Sequence, residues 1–372
     1  MPQANNASHS GNRLRVAVLF GGESDEHDVS LRSAQTVMSG LDPEKYEVVP
    51  VGITREGRWL TGDDSFKQLT ERSPLFALEA QIHEPKPPFD LSRVDGLPAA
   101  LPSAFGTGVD VVFPVLHGPR GEDGTIQGML ELANLPFVGS GVLGSALAMD
   151  KAMAKLILAQ ANMPQGPWLL VNRAEWERDP VTIAERIEAE IGFPCFVKPA
   201  NMGSSVGVAK VHDAEELNAG MSLACQYDRK VLAEQAIDAR EIEVAVLGND
   251  LPIASVPGEV VPSNEFYDYA AKYIDDRSEL IIPADIPAAV AERAGELAVA
   301  AFKALDLAGL ARVDFFLERG SDRLLINEIN TLPGFTAISM YPRLWEASGI
   351  PLPDLMERLL DLAQERHAER RR

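Results

Sequence analysis

The run Leu14 to Phe20 constrains this chain most. It is apolar, too short for a buried helix, closed by Gly21 and Gly22, and followed by a helical spacing through Val29, Ser33 and Val37 to Gly40. A strand, a tight turn and a helix in that order commit the chain to a crossover, and a crossover brings the next strand back parallel to the first. Tyr46 to Ile53 supplies a second strand, and Val109 to Leu116 a third, followed by the loop His117 to Gly124 and a helix ending near Asn134. Alternating strands and helices place this part of the chain in the α/β class with a parallel sheet. Arg55 to Gly108 is less regular, and Pro85, Pro87, Pro88, Pro98 and Pro102 argue for surface loops or an insertion there.

Further along, Asp150 is placed to cap a helix carrying Met153, Leu156, Ile157 and Gln160, and a second domain begins close by. It is expected to hold a helix over Pro180 to Ile191, the strand Cys195 to Lys198, a loop from Pro199 to Gly207 and a strand over Val231 to Glu234. The last third offers a strand from Glu241 to Leu247, an irregular stretch from Val260 to Asp276, an Ala-rich helix from Ala288 to Leu307, and strands over Ala311 to Leu317 and Arg323 to Asn330. The basic end, Arg366 to Arg372, reads as a frayed helix end.

Charge narrows the function. The 34 basic and 55 acidic residues give a net charge of −21, a field that repels nucleic acid and anionic membrane. No apolar run approaches the roughly 18 residues that cross a bilayer. Cys195 and Cys225 have no CxxC partner, so neither a disulfide framework nor a zinc site is expected. The polar segment Met1 to Asn12 lacks the features of a signal peptide and reads as a loose tail, which fits a cytoplasmic protein.

Two strands carry charge where apolar residues should stand. Alternation puts Arg312, Asp314 and Phe316 on one face, and Ile326, Glu328 and Asn330 on one face of the next strand. Burying such groups costs several kcal/mol each, roughly, unless they are paired or bound to cations. Asp, Glu and Asn oxygens suit Mg²⁺, and an internal ion pair of Arg312 with Asp314 or Glu328 explains the pattern equally well. The loop after Lys198, through Gly203, Ser204, Ser205 and Gly207, offers backbone N–H groups and hydroxyls to phosphate oxygens, or is an ordinary hairpin. Glu26 falls either at the crevice above the strand ends or among ordinary first-turn acids. His117 ends an apolar strand, a position more often structural than catalytic. Tyr267, Tyr269, Lys272 and Tyr273 make either a water-excluding lid or a sticky loop.

Together and in order, Lys198 before Gly203 to Gly207, Tyr267 to Tyr273, Arg312 to Asp314, and Asn327 to Gly334 resemble the ATP-grasp carboxylate-amine ligases and, among them, the D-alanine:D-alanine ligase family. The resemblance runs from about Arg15 to Gly349 and takes in Glu26 to Ser30, His117, Gly121 to Thr125 and Met149 to Lys151. It implies three domains: an N-terminal Rossmann-like parallel sheet over 13–140, after the tail 1–12, then two ATP-grasp α+β domains over 141–238 and 239–372.

By that resemblance ATP lies between the second and third domains, with Lys151 and Lys198 on its phosphates, Ser205 and Asn327 also in its site, Glu234 at the adenine edge and Glu241 on the ribose. Asp314, Glu328 and Asn330 would carry two Mg²⁺ or Mn²⁺ ions, activation by a monovalent cation stays open, and local positive charge would attract ATP. One D-alanine, its ammonium on Glu26 and its carboxylate near His117, becomes an acyl phosphate; the second, held by Ser339, attacks it. Arg312 and the Gly334 N–H would meet the oxyanion. Ser204, Tyr273 and Glu26 would link the serine loop, lid and first domain, Lys272 would reach the γ-phosphate, and Tyr273 favours an amine as second substrate. Ala270 departs from the glutamate usual in that lid. The resemblance also implies a homodimer. Ligation of another amino or hydroxy acid, or nucleotide binding without catalysis, are the competing readings.

Overall fold

The computed structural model describes residues 13–61, 64–70, 108–261 and 279–370. The first part of the chain runs β1 (Leu14–Gly21), α1 (His27–Gly40), β2 (Tyr46–Ile53), β3 (Trp59–Thr61), α2 (Ser65–Thr70), β4 (Val111–Val115) and α3 (Thr125–Leu132). Its sheet has the order β3-β2-β1-β4, with β1 parallel to both β2 and β4 and β3 added antiparallel at the edge. The parallel sheet expected from the repeated strand, turn and helix is present. Part of the stretch expected to be irregular is ordered, since β3 and α2 fall inside it.

Helices α4 (Val142–Met149) and α5 (Lys151–Gln160) follow. Asp150 caps α5 as its position implies, its side chain accepting from the N–H groups of Ala152 and Met153. The middle part comprises β5 (Trp168–Asn172), α6 (Arg173–Arg178), α7 (Pro180–Glu190), β6 (Cys195–Pro199), β7 (Ala209–Val211), α8 (Ala214–Tyr227) and β8 (Lys230–Gln235). Its sheet, β5-β8-β6-β7, is antiparallel throughout. The remainder holds β9 (Ala239–Gly248), β10 (Ile253–Ala254), β11 (Gly258–Val261), β12 (Glu279–Ile281), α9 (Ala288–Ala304), β13 (Gly309–Glu318), β14 (Leu324–Asn330), α10 (Met340–Ala347) and α11 (Leu352–Glu369). These strands form the antiparallel order β12-β11-β9-β13-β14, with β10 on β9.

The apolar residues sort into cores that do not follow the sheets one to one. The middle sheet has its own, around Val171, Ile187, Val197, Leu217 and Val231. The first and third sheets share one: Val16, Phe20, Leu31 and Phe113 pack with Ala245, Leu310, Tyr341, Trp345, Leu355 and Leu359. Helices α10 and α11 bring the end of the chain back against its beginning. The basic end is therefore more than a frayed tip: α11 runs to Glu369, and the Arg366 guanidinium lies 4.4 Å from the Phe137 ring centroid.

Candidate active site

The three sheets meet around one cavity of about 910 Å³, the size of a small-molecule site. Fifteen sequence-identified residues line it: Glu26, His117, Lys151, Lys198, Ser204, Ser205, Glu234, Glu241, Arg312, Asp314, Asn327, Glu328, Asn330, Gly334 and Ser339. Lys272, Tyr273, Ala270 and the rest of the expected lid lie outside the described residues.

The strand-to-helix turn after β1 brings Glu26 to the cavity. Gly21 sits at φ +91°, and a Cβ there would fall 2.2 Å from the Ile53 carbonyl oxygen, so the turn requires glycine. Glu26 precedes α1, is buried, and accepts a hydrogen bond from Ser204 Oγ, 178 residues away. Ser204 and Ser205 both hold positive φ, 48° and 60°. A left-handed L-residue costs ~1–2 kcal/mol, so the loop is held in shape by what surrounds it. Lys151 does part of this: its Nζ donates to Met202 O at 2.7 Å and lies 3.9 Å from Glu328 Oε2. Burial lowers its pKa.

On the middle sheet Lys198 (β6) and Glu234 (β8) project from one face, their ionic groups 2.7 Å apart, while Lys155 reaches Glu234 at 3.2 Å from α5, one turn beyond Lys151. Burial pushes the Glu234 carboxyl up, but the two lysines outweigh it and hold the pKa below the usual value. Burial lowers Lys155; burial also opposes the charge of Lys198, yet the closer carboxylate leaves that group above its usual range. One carboxylate between two ammoniums keeps a buried polar wall charged and ordered.

The third sheet supplies the densest chemistry. Arg312 makes a two-point ion pair with Asp314, Nε to Oδ1 and Nη2 to Oδ2 both at 2.7 Å, and its Nε is 3.0 Å from Glu243 Oε2. Asn330 donates to Asp314 Oδ2 at 2.9 Å. Asp314 stands opposite Glu328 in register, and Arg312 opposite Asn330. The expectation that Ile326 shares their face is corrected. A bulge shifts the register between Asp314 and Phe315, pairing Phe315 with Ile326 and leaving Asn327 as the extra residue. Ile326 drops into the core, and Asn327 and Glu328 both turn to the cavity.

These oxygens suit a hard divalent cation. Among the described residues no group of three or more His, Cys, Asp and Glu is arranged to hold a metal ion. Two carboxylates and an amide are too few to enclose one, but they match Mg²⁺, which takes few protein ligands and completes its shell with phosphate and water. The donor set therefore fits a cation that arrives with a phosphate ester.

Where the first and third sheets meet, His117 is buried, donates from Nδ1 to Leu332 O at 3.0 Å, and has no partner at Nε2 among the described residues; burial lowers its pKa. Gly334 lies against Ser339, whose Oγ is 2.9 Å from where a Cβ would stand, so any side chain there would crowd it. Ser339 precedes α10, and its Oγ accepts from Thr336 N at 3.0 Å.

Family models described as D-ala D-ala ligase N-terminus and D-ala D-ala ligase C-terminus match residues 15–140 and 157–361. The chain belongs to the D-alanine–D-alanine ligase family. It is 50% identical over 367 residues to the D-alanine–D-alanine ligase of Geobacillus kaustophilus, with 96% of each chain covered. It is 51% identical over 373 residues to that of a Thermoanaerobacter species, covering 96% of this chain and 98% of the other. Among solved structures, the D-alanine-D-alanine ligase from Coxiella burnetii matches with a TM-score of 0.79 at 33% identity, covering 97% of both chains. VanG D-Ala:D-Ser ligase from Enterococcus faecalis matches at 0.78 and 34%, covering 95% of this chain and all of the other.

Seen as a member of this ligase family, the chain carries cavity residues that motif reading passed over. Glu243, next on the Glu241 face of β9, flanks Arg312, and two acids two apart on one strand were the available signal. Lys155, which backs the wall through Glu234 without lining the cavity, was signalled by its spacing of four from Lys151. Glu122 lies inside the quoted stretch Gly121 to Thr125, where burial, with the charge of Glu26 adding to it, pushes its carboxyl up to about 8. An excess of positive charge is not seen among the described residues lining the cavity: Arg32, Lys151, Lys198, Lys210, Arg312, Arg319 and Arg343 face seven carboxylates besides Glu122, which its raised pKa keeps protonated near neutral pH, and Lys272 lies outside the described residues. Among the described residues no helix is long and apolar enough to cross a membrane.

Proposed function

We propose that this ligase joins two D-alanines to D-alanyl-D-alanine with ATP, through an acyl phosphate, to supply peptidoglycan synthesis in the cytoplasm. The reading is carried by the convergence on one cavity of every described residue to which the sequence assigns a role, from elements up to 313 positions apart, Glu26 to Ser339. Its division into domains is proposed at 140 and 238, after the tail 1–12, and its assembly as a homodimer.

Lys151 and Lys198 bind the ATP phosphates, with Ser205 and Asn327 beside them, while Glu234 accepts from the adenine amino group and Glu241 holds the ribose. Asp314, Glu328 and Asn330 would hold two Mg²⁺ or Mn²⁺ ions, which would neutralise phosphate charge when bound. Glu26 pairs with the ammonium of the first D-alanine, and His117 lies at its carboxylate. That carboxylate oxygen attacks the γ-phosphorus, ADP leaves, and an acyl phosphate results. The second D-alanine, its carboxylate held by Ser339, gives up an ammonium proton and attacks the acyl carbon; Arg312 and the Gly334 N–H stabilise the oxyanion until phosphate departs. Ser204 on Glu26 closes the serine loop over the substrates, with Tyr273 and Lys272 completing the lid.

Incubation of the protein with ATP and Mg²⁺, with and without D-alanine, tests this when phosphate and dipeptide are read in one tube. One dipeptide per D-alanine-dependent phosphate is expected. Phosphate without dipeptide refutes it, and D-serine or D-lactate in the second position would then be read by mass spectrometry.

A further inference from the structure

One half-buried acid joins the loops that flank the substrate end of the cavity. Glu122 uses both carboxylate oxygens on backbone from two different sheets: Oε2 accepts from Gly118 N at 2.7 Å, and Oε1 accepts from Leu332 N at 3.1 Å. The carbonyl of the same Leu332 accepts from His117 Nδ1 at 3.0 Å. Both hydrogen-bonding groups of Leu332 are thus taken by the loop 117–122, more than 200 residues earlier in the chain. Beyond it, Phe335 N donates to Ser33 Oγ on α1 at 3.1 Å. Pro333 has no N–H to give, so Gly334 hangs between two anchors, one made by Glu122 and His117 and the other by Ser33.

We propose that Glu122 is a positioning residue for ligation: by holding the Leu332 peptide against the His117 loop, it directs the Gly334 N–H at the site of the developing oxyanion. The inference rests on the role given to Gly334 above. An oxyanion donor works only within ~2.7–3.1 Å of where the charge appears, and ~1 Å of misplacement costs on the order of 10²-fold. A carboxyl group suits the place because both of its oxygens can accept in either protonation state, whereas the amide of glutamine would turn an N–H₂ toward one of the two N–H groups.

Glu122→Gln is expected to lower kcat by about 10–100-fold, the cost of one buried N–H left without its acceptor, while leaving the KM for ATP within about twofold. Glu122→Asp keeps the carboxyl group but shortens the reach and should behave likewise; full kcat in the Asp variant would overturn positioning by geometry. Ser33→Ala loosens the second anchor, and because both act through Gly334, the losses in the double variant should multiply to less than their product. Hydrogen exchange on the ATP-free protein gives a readout independent of catalysis: amides of 331–336 should exchange about tenfold faster in Glu122→Gln, with β6 and β8 unchanged. Unchanged exchange there, or wild-type kcat in Glu122→Gln, overturns the clamp. A wild-type protein that makes no dipeptide refutes the functional reading instead, and the exchange experiment still decides the clamp.

Discussion

The two seams of this molecule are built differently. Between the first and third sheets, a shared core running from Val16 and Phe20 to Trp345 and Leu359 is reinforced by hydrogen bonds between the backbone of Leu332 and Phe335 and the side chains of Glu122, His117 and Ser33. Between the middle sheet and the first, Ser204 on Glu26 links side chains at the cavity, and the middle sheet keeps a core to itself. The groups proposed to meet substrate and oxyanion thus sit on one fused frame, while the lysine and serines proposed to meet phosphate sit on a unit that folds around its own interior. Fused packing fixes distances to fractions of an ångström, which bond making requires; a separately cored unit can meet its partner through few contacts, which admission of a nucleotide requires.

The largest expected effects test that difference directly. Trp345→Ala removes a fully buried side chain from the shared core and should cost ~3–5 kcal/mol. Its faster hydrogen exchange should appear in β1 and β13 together. Glu234→Ala strands Lys155 and Lys198 without their counter-charge and should cost a similar ~3–5 kcal/mol, with faster exchange confined to β6 and β8. Exchange spreading equally over all three sheets in both variants would erase the distinction.

Arg312→Ala should cut dipeptide formation by ~10²–10³-fold, the range for an oxyanion donor, with little change in far-ultraviolet circular dichroism. Ser204→Ala removes a hydrogen bond to a carboxylate worth ~1.5–3 kcal/mol and should slow ligation about tenfold while leaving thermal stability near wild type. A large drop in Tm would mean that this seam bears stability after all. The last effect is a slope. The Glu122 carboxyl is raised from 4.5 to about 8 by burial and by Glu26, with Lys151 opposing. Its native form keeps a proton that the unfolded chain has lost, so its contribution to stability is present below pH 4.5 and declines as pH rises toward 8. Tm plotted against pH should fall more steeply for the wild type than for Glu122→Gln across that window.

Much of this was legible in the residues themselves. Short-range physics decides that Leu14 to Phe20 is a strand ended by Gly21, that Asp150 caps α5, and that Arg312 and Asp314 share a face, because each depends on neighbours a few positions away. The motif residues were found because catalytic groups must be of definite chemical type whatever holds them. What only the tertiary structure decided are the relations between distant segments: the bulge that sends Ile326 inward and turns Asn327 to the cavity, the Lys155 and Glu243 partnerships, the balance of charge around the cavity, and the shared core that closes the chain's end on its beginning. A side chain's type is a property of one position. Its partner is set by whichever surface packing brings within about 3 Å, and packing is decided by the whole chain at once.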